Sequence, residues 1–351
     1  ACLPREPAPP GPNQYTSRAA RSTPLMSKRK ASAPPANGSS DDLGYTPTIK
    51  AYKSERFLNS RDARMIRILC EYQESQARLR DNGIHGTILF FGSARCCTFE
   101  DHDKKSQLLS SQLALAKTDS EKVDIEAQIS RHGKLRWVCE YMEKTTALAK
   151  KVTEWSLTAE AAELVKSLVM DSIDVSDVVD PESKLHFNGK APVCVSTGGG
   201  PGLMEAANKG ASLVEGGRSI GMGISLPFEP GLNKYVSKEL AFEYHYFFTR
   251  KFWMVFPCLA LVCTPGGYGT LDELFEVLTL KQTNKVKLDL PVVLLGEKYW
   301  RTVLNFEALL EFGTVSERDI KQLFITDSVD DAFAYIKSSL ENLAAQSKAS
   351  K

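Results

Sequence analysis

The sequence lacks a charge excess of either sign, because 44 lysines and arginines oppose 43 aspartates and glutamates. A protein whose main partner is nucleic acid or an anionic membrane carries a clear excess of basic residues, so we expect neither partner. The chain also lacks a run of about 18 apolar residues, the length needed to cross a bilayer. Its first residues lack the apolar core of a signal peptide. These absences predict a soluble cytoplasmic protein.

The chain lacks the cysteine spacings of the usual zinc motifs. None of the eight cysteines belongs to a pair spaced like the ligands of a structural zinc site. Several lie inside apolar runs, among them Cys70, Cys194 and Cys263. Such positions are typical of reduced thiols in a protein core. We therefore expect neither disulfides nor a metal site.

The first 48 residues have too little apolar character to form a core. They hold nine of the 17 prolines, with six basic and three acidic residues. This composition predicts a disordered tail. Its arginines, serines and few acidic residues leave an organelle-targeting segment as the alternative. The remaining chain, residues 49–345, is predicted to be one domain.

The domain begins with a helical pattern and an apolar strand. Ser60 is placed to cap a helix in which Met65, Ile66 and Leu69 recur at helical spacing. The apolar run 87–91 then leads into a turn of small residues. This order is typical of the first buried strand of a parallel sheet, whose carboxyl end faces a ligand.

Residues from about 98 to 190 interrupt the strand pattern. They contain only two glycines, Gly133 and Gly189, and the segments Leu108–Ile129 and Trp137–Trp155 favour helix. A first strand is normally followed by one crossover helix, so this stretch predicts a helical insertion around that helix. We expect it to pack on the domain or on a second subunit rather than to bind a separate ligand.

Glycine is concentrated beyond the insertion, where 13 of the 23 glycines fall between residues 198 and 269. Two short buried strands each run into a glycine turn that opens a helix, first at 198–207 and then at 265–280. Such turns bring backbone N–H groups and a helix N-terminus to a phosphate. The pattern predicts an α/β fold, a Rossmann-like doubly wound parallel sheet with a helical insertion.

The usual nucleotide fingerprints are absent from these turns. The glycine spacing of a dinucleotide site fails at Leu203 and Met204, and no Gly-Lys-Ser/Thr phosphate loop exists. A mononucleotide is therefore the favoured ligand.

Four motifs carry a family resemblance. Pro265–Glu273 matches the PGGxGTxxE signature of the LONELY GUY (LOG) family, and Gly198–Glu205 resembles its GGGxxGLM turn. Phe91–Arg95 is similar to its first-strand FGSAR, and Phe247–Lys251 to the segment that bears its essential arginine. The resemblance covers residues 60–98 and 190–340, including the block 226–233, and the insertion departs from it.

The resemblance implies a phosphoribohydrolase, although members are often labelled "possible lysine decarboxylase". Such enzymes cleave the N-glycosidic bond of cytokinin riboside 5′-monophosphates or of nucleotides such as AMP, giving free base and ribose 5-phosphate. The resemblance also implies a homodimer or higher homo-oligomer and no cofactor. It leaves the preferred base open.

The chemistry of that reaction selects two residues. Cleavage of the C1′–N bond develops positive charge on the ribose, which a nearby carboxylate stabilises, or the carboxylate activates the attacking water. Glu273 suits this role better than Asp272, which points about 100° away around the helix. Arg250 offers a planar, permanent charge for phosphate or ribose hydroxyls. The alternatives are that Glu273 only complements its helix dipole and that Arg250 only packs between phenylalanines.

Other residues are candidates for substrate binding, and several have a structural alternative. Ser93 alternatively turns the chain, Glu229 and Asn233 cap a loop, and Thr279 lies on a plain helix surface. The aromatic residues Tyr244, Tyr246, Phe247 and Phe248 either stack on a base or, as favoured, pack in the core. The predicted binding residues are Ser93, Gly199, Gly200, Gly202, Glu229, Asn233, Lys251, Gly266, Gly267, Tyr268, Gly269, Thr270 and Thr279.

Two other function classes remain open at this point. A nucleotide-binding or carrier protein on the same fold would lack the paired arginine and glutamate, which this chain has in Arg250 and Glu273. A lysine decarboxylase needs pyridoxal phosphate on a lysine, usually within Ser-x-His-Lys, and the sequence contains no such tetrapeptide.

Overall fold

The structure, a computed structural model, describes residues 48–172, 190–225, 231–286 and 290–349. The chain divides into two units, Ala1–Ser54 and Glu55–Lys351. The described part of the first unit contains one short 3-10 turn, Ala51–Lys53. The predicted tail lies almost wholly outside the described residues and stays a prediction. The second unit carries the fold.

The second unit is built on a parallel sheet of seven strands, in the order β4-β3-β2-β1-β5-β6-β7. From the central β1 the chain moves outward to β4, then returns to place β5 on the other side of β1. This reversal creates a crevice at the carboxyl ends of the strands, where doubly wound sheets bind ligands. The predicted fold class is confirmed. The strands are β1 Gly86–Phe91, β2 Val193–Thr197, β3 Ser219–Ile224, β4 Ala241–Tyr244, β5 Cys258–Cys263, β6 Val292–Leu295 and β7 Leu323–Thr326.

Helices cover both faces of the sheet. None within the described ranges is long and apolar enough to cross a membrane. The helices are α1 Glu55–Leu58, α2 Arg64–Asp81, α3 Phe99–Leu115, α4 Asp119–Gly133, α5 Glu140–Ser156, α6 Ala159–Ser172, α7 Leu203–Ser212, α8 Phe247–Val255, α9 Tyr268–Gln282, α10 Glu297–Val303, α11 Phe306–Glu311, α12 Glu317–Lys321 and α13 Val329–Ala349.

Strand β1 shows why its sequence is an unbroken apolar run. Ile88 and Phe90 pack with the core under α5, α6, α7 and α13. Leu89 and Phe91 pack with the opposite core, under α2, α8, α9 and α10. Alternate side chains of a strand point to opposite faces, so a strand covered on both sides carries apolar residues in succession, as at 88–91. Each such side chain contributes about 1.5–3 kcal/mol to folding.

The stretch between β1 and β2 has two parts. Helices α3 and α4 form a hairpin. The segment Leu108–Ile129, which favours helix, is divided between them, and α4 begins after Thr118, which makes a capping box with Glu121. Inside the hairpin His102 and His132 stack with ring centroids 3.9 Å apart. Each ring Nε2 bonds to the other residue's backbone oxygen, at 3.0 and 2.9 Å. Helices α5 and α6, in contrast, complete the core layer beside α7 and α13.

Two expectations for α2 and its surroundings are wrong. The helix begins at Arg64 after Ala63, and no side chain caps it. The carbonyl of Ser60 instead accepts a hydrogen bond from Arg67 Nη1 at 2.6 Å. Cys70, expected in the core, is exposed, although it is a free thiol like the other described cysteines. It lies on α2 beside the exposed Leu69, so an apolar run in the sequence does not by itself place a residue in this core.

Candidate active site at the carboxyl edge of the sheet

The loop after β1 joins the two glycine turns. The backbone N–H of Ser93 donates to the Pro265 carbonyl at 3.0 Å, and the Ser93 carbonyl accepts from the Leu203 N–H at 3.1 Å. The Ser93 hydroxyl accepts from the Arg95 N–H at 3.1 Å. Ser93 therefore lies between both turns, and its side chain also stabilises its own loop.

The first glycine turn requires glycine at its last position. Gly202 has φ 71° and ψ −132°, a region that side chains rarely enter. A Cβ at Gly202 would collide with the backbone carbonyl of Ser93. The missing side chain thus allows the loops after β1 and β2 to meet.

We expect Gly202→Ala to lower the free energy of unfolding by at least about 2 kcal/mol, because it adds backbone strain to a collision with backbone atoms. Denaturant unfolding monitored by circular dichroism measures the change. Gly133→Ala is the control: its added Cβ meets no atom within 4 Å, so stability should hold or rise slightly. Equal stability of the two variants would contradict the role given to Gly202.

Asn233 holds the first turn from beside it. Its Nδ2 lies 3.1 Å from the carbonyls of both Gly199 and Gly200, and 2.9 Å from Asn208 Oδ1. Its backbone N–H donates to Gly199 at 2.8 Å. The Gly199 N–H in turn donates to Thr197 Oγ1 at 2.9 Å. These contacts favour the capping alternative for Asn233, since its amide donors already serve the turn.

The second glycine turn opens α9. Gly267 is the N-cap residue, so the first N–H groups of the helix receive no side-chain cap. The buried Thr270 side chain lies directly against Gly266, where it would collide with any Cβ. Tyr268 is 93% exposed, and its ring therefore lies outside the core. A helix N-terminus of this kind attracts an anion through its N–H groups and its dipole.

Helix α8 aims Arg250 at the first turn. Glu71 of α2 caps this helix, accepting from the His245 N–H at 2.8 Å and from the Thr249 hydroxyl at 2.5 Å. Arg250 Nε donates to the Met222 carbonyl of β3 at 2.7 Å. Its Nη2 lies 2.6 Å from the place where a Cβ of Gly198 would be. The guanidinium therefore packs directly on the glycine turn.

Lys251 links the two helices of the site. Its Nζ lies 2.9 Å from Asp272 Oδ2 and 2.7 Å from Glu276 Oε2. Lys251 is 18% exposed and Glu276 31%, so their pair is shielded from water more than a surface pair is, whereas the Asp272 side chain is 63% exposed. Lys251 thus fixes α8, which carries Arg250, against α9.

Glu273 is the buried acid of the site, with 4% of its surface exposed. Burial raises its pKa from 4.5 to about 7, and the Lys251 and Arg250 cations offset only part of that rise. Its Oε2 is buried and has no hydrogen-bond partner among the described residues. A carboxyl with a pKa near neutrality is suited to exchange protons during a reaction.

The other candidates spread along α9 and into the core. Thr279 lies with Tyr268 and Lys251 on a groove of about 530 Å³, and its hydroxyl donates to the Phe275 carbonyl at 2.7 Å. Tyr244 and Tyr246 are buried, as favoured, whereas Phe247 and Phe248 are more than half exposed. Glu229 lies outside the described residues.

Several supporting residues gave no signal in the sequence. Glu71 caps α8 from a helix that is distant in the chain, and Met222 contributes only its backbone carbonyl. Tyr299 donates its hydroxyl to the Gly266 carbonyl. The Asn208 oxygen accepts from Thr197 at 2.8 Å beneath the first turn. These residues are far apart in the chain, so no local sequence pattern could have identified them.

Comparison with known proteins supports the family resemblance. A family described as "Possible lysine decarboxylase" matches residues 204–336. That stretch contains Arg250, Glu273 and the second glycine turn, and it begins at Met204 just after the first turn. No curated protein matches the chain. In the described residues, no group of three or more His, Cys, Asp or Glu side chains is arranged to hold a metal ion.

Proposed function

We propose, on the premise that residues 204–336 form a domain of the LOG or possible-lysine-decarboxylase family, that the protein hydrolyses nucleoside 5′-monophosphates. The products would be free base and ribose 5-phosphate. One observation carries the proposal: Glu273, a buried carboxyl with a pKa of about 7, lies near Arg250 and behind a glycine turn suited to phosphate.

Glu273 would act at the C1′–N bond. As the bond breaks, positive charge develops on the ribose and the base leaves with the bonding electrons. The ionised carboxylate would stabilise that charge or take a proton from the attacking water, and its buried position strengthens the effect. The water supplies the hydroxyl of ribose 5-phosphate and a proton for the base, so the reaction needs no oxidant or reductant.

The two turns and Arg250 would hold the substrate. Gly266, Gly267, Gly269 and Thr270 present a helix N-terminus to the 5′-phosphate, and Gly199, Gly200 and Gly202 form the facing turn. Arg250 provides a fixed cation beside that turn. Arg250 would thus supply a positive charge, and the glycine turns backbone N–H donors, for the phosphate and hydroxyls of the nucleotide.

Lysine decarboxylation fits these residues poorly. Pyridoxal phosphate chemistry requires a lysine whose amine is free to form a Schiff base. Lys251, the lysine beside Glu273, is held as a cation by two carboxylates at 2.9 and 2.7 Å. We therefore derive no step through that cofactor.

We expect kcat/KM to rise about tenfold per pH unit below pH 7 and to level off above it, because the carboxylate form of Glu273 is the active one and its pKa is about 7. Initial rates from pH 5 to 9 measure the profile. The substrate phosphate ionises near pH 6, so the profile of a phosphorothioate analogue, whose second ionisation lies lower, separates the two groups. A flat profile through pH 7 would contradict this role for Glu273.

The direct test is incubation with AMP and, separately, with isopentenyladenosine 5′-monophosphate, with base release followed by chromatography. Release from the cytokinin nucleotide alone would indicate a hormone-activating enzyme, and comparable release from AMP a general nucleotide nucleosidase. Binding of both nucleotides without any release would overturn hydrolysis in favour of a carrier.

We also propose that two copies of the chain associate through an apolar face. Helices α2 and α8 meet where the rings of Tyr72 and Phe252 lie 5.3 Å apart, and Lys251 joins α8 to α9. Their outer sides expose several large apolar side chains, far more than isolated surface residues would explain. We call this the aromatic face; its members are Met65, Ile66, Leu69, Phe248, Phe252, Phe256 and Phe275.

We expect the protein to sediment as a dimer of 38.8 kDa chains, and Phe256→Arg to produce a monomer. Phe256 is 49% exposed on the aromatic face, where a charge would be buried without a partner on association. Phe312→Arg is the control, since Phe312 is 79% exposed after α11. Sedimentation velocity distinguishes monomer from dimer, and a monomeric wild-type protein would contradict the proposal.

A further inference from the structure

The long segment between β1 and β2 reaches both glycine turns. Its 3-10 turn Arg136–Cys139 buries Val138 and Cys139. Val138 and the following Tyr141 pack with Leu203, the first residue of α7, and with Leu295 at the end of β6. Leu203 directly follows the first glycine turn. The segment is therefore anchored at the carboxyl edge, where the candidate active site lies.

From this anchored turn Trp137 contacts the residue that holds the second glycine turn. Its ring stacks on Tyr299 of α10, with centroids 5.7 Å apart and planes 22° apart. Trp300 also contacts that tyrosine in an edge-on arrangement, with centroids 5.1 Å apart and planes at 80°. The Tyr299 ring thus contacts two indoles, one of them from the insertion.

Helix α10 is itself fixed beside the turn. Gly296, which precedes it, has φ 118°, and a Cβ there would lie 3.0 Å from the Pro265 ring and 3.4 Å from Tyr141. Tyr141 donates its hydroxyl to Asp327 Oδ1 at 2.9 Å, and the Glu297 N–H donates to the same oxygen at 3.3 Å. These contacts leave α10 little freedom to move relative to Pro265.

The Tyr299 hydroxyl donates to the carbonyl of Gly266, in the middle of the second turn. In a trans peptide the C=O of one residue and the N–H of the next point in opposite directions. With the Gly266 carbonyl held toward Tyr299, the N–H of Gly267 points away from it. Gly267 is the N-cap of α9, where an N–H group is suited to a phosphate oxygen.

We infer that Tyr299 is a positioning residue, held by Trp137 of the insertion, which orients the 266–267 peptide so that it binds the phosphate of the substrate. This inference rests on the proposed function for the identity of the substrate. It gives the insertion a role in phosphate recognition, although no residue of the insertion needs to contact the ligand.

The test compares Tyr299→Phe and Trp137→Ala with wild type. Loss of one neutral hydrogen bond corresponds to about a three- to tenfold weaker interaction. We expect KM for AMP to rise by that factor while kcat stays within about twofold. Calorimetry should show the same loss for ribose 5-phosphate and no change for adenosine, which lacks the phosphate. Trp137→Phe, which keeps a stacking ring, should restore most of the affinity.

Tyr335→Phe serves as the matched control, because it removes a hydroxyl from a ring that stacks on Phe324 of β7. Unchanged KM and unchanged ribose 5-phosphate binding in Tyr299→Phe would overturn the inference, as would equal weakening of adenosine. If wild type releases no base, the proposed function fails, and ribose 5-phosphate binding alone then decides the positioning role. If wild type releases base but binds no ribose 5-phosphate, the proposed function stands and the positioning inference fails.

Discussion

Glu273→Gln should abolish turnover while nucleotide binding remains. The amide preserves the shape of the side chain but supplies neither the negative charge nor the proton acceptor that ribose–base cleavage requires. General acid–base groups contribute about 10²–10⁴-fold, so we expect a loss of kcat of at least 10²-fold. Single-turnover assays with AMP measure this loss, and calorimetry should give a Kd within a few-fold of wild type.

The same substitution should also change the pH dependence of stability. The pKa of Glu273 is raised from 4.5 in the unfolded protein to about 7 in the folded protein. The folded protein therefore binds this proton more tightly than the unfolded protein does. Below about pH 4.5 both states are protonated and the group costs nothing. Between pH 4.5 and 7 the unfolded state ionises while the folded state keeps its proton, so the fold loses stability across this range, and the loss levels off above pH 7. Between pH 5 and 8 this cost grows by about 2–3 kcal/mol, and Glu273→Gln should not show it.

The matched control for Glu273 is Asp272→Asn. Asp272 is the adjacent acid, 63% exposed, and Lys251 keeps its second partner Glu276 when Asp272 is changed. We expect kcat within a few-fold of wild type and an unchanged pH dependence of stability. Full turnover by Glu273→Gln, or equal losses in both variants, would refute the assignment of catalysis to Glu273.

Arg250→Ala should lower kcat/KM for AMP by about 10²–10³-fold, the range for removal of one preorganised hydrogen-bond donor. The guanidinium contacts two elements at once, the Met222 carbonyl of β3 and the first glycine turn at Gly198. Arg250→Lys should recover only part of the loss, because an ammonium keeps the charge but cannot reproduce the planar fork. Steady-state kinetics measure both variants.

Arg80→Ala is the control for charge removal alone. Arg80 forms an exposed pair with Asp81 on α2 at 3.3 Å, and such pairs contribute little. Its kcat/KM should equal that of wild type. Recovery of full activity by Arg250→Lys would show that charge without the fork is sufficient, and would contradict the geometry that we assign to Arg250.

The sequence predicted those parts of the molecule that depend on neighbours in the chain. A strand, a glycine turn and the helix behind it are continuous, so the turns at Gly202 and Gly267 and the position of Glu273 on its helix followed from spacing. The fold class followed from the repetition of these units. The catalytic and binding roles of the named residues stay predictions.

What the sequence did not predict depends on contacts between distant segments. Ser60 has the chemistry of a cap, yet α2 starts four residues later, after Ala63. For Asn233 the sequence left a ligand contact and loop capping open, and it did not indicate that the amide holds a turn 34 residues earlier. Nothing in the sequence around Tyr299 or Trp137 indicates that their rings stack on each other in the folded protein. Propensity and spacing contain no information about such pairs.

The central position of β1 has a consequence for synthesis of the chain. Its ladder partners are Val193 for Gly86 and Cys258 for Thr87, so 107 and 171 residues of later chain must be made before both edges are paired. At about 5–20 residues per second, a ribosome leaves this largely apolar strand without its second partner for roughly 10–30 seconds. Long-range parallel pairing is also slow to form. We therefore expect β1 to be exposed to aggregation during synthesis unless the helices that follow it collapse onto it first.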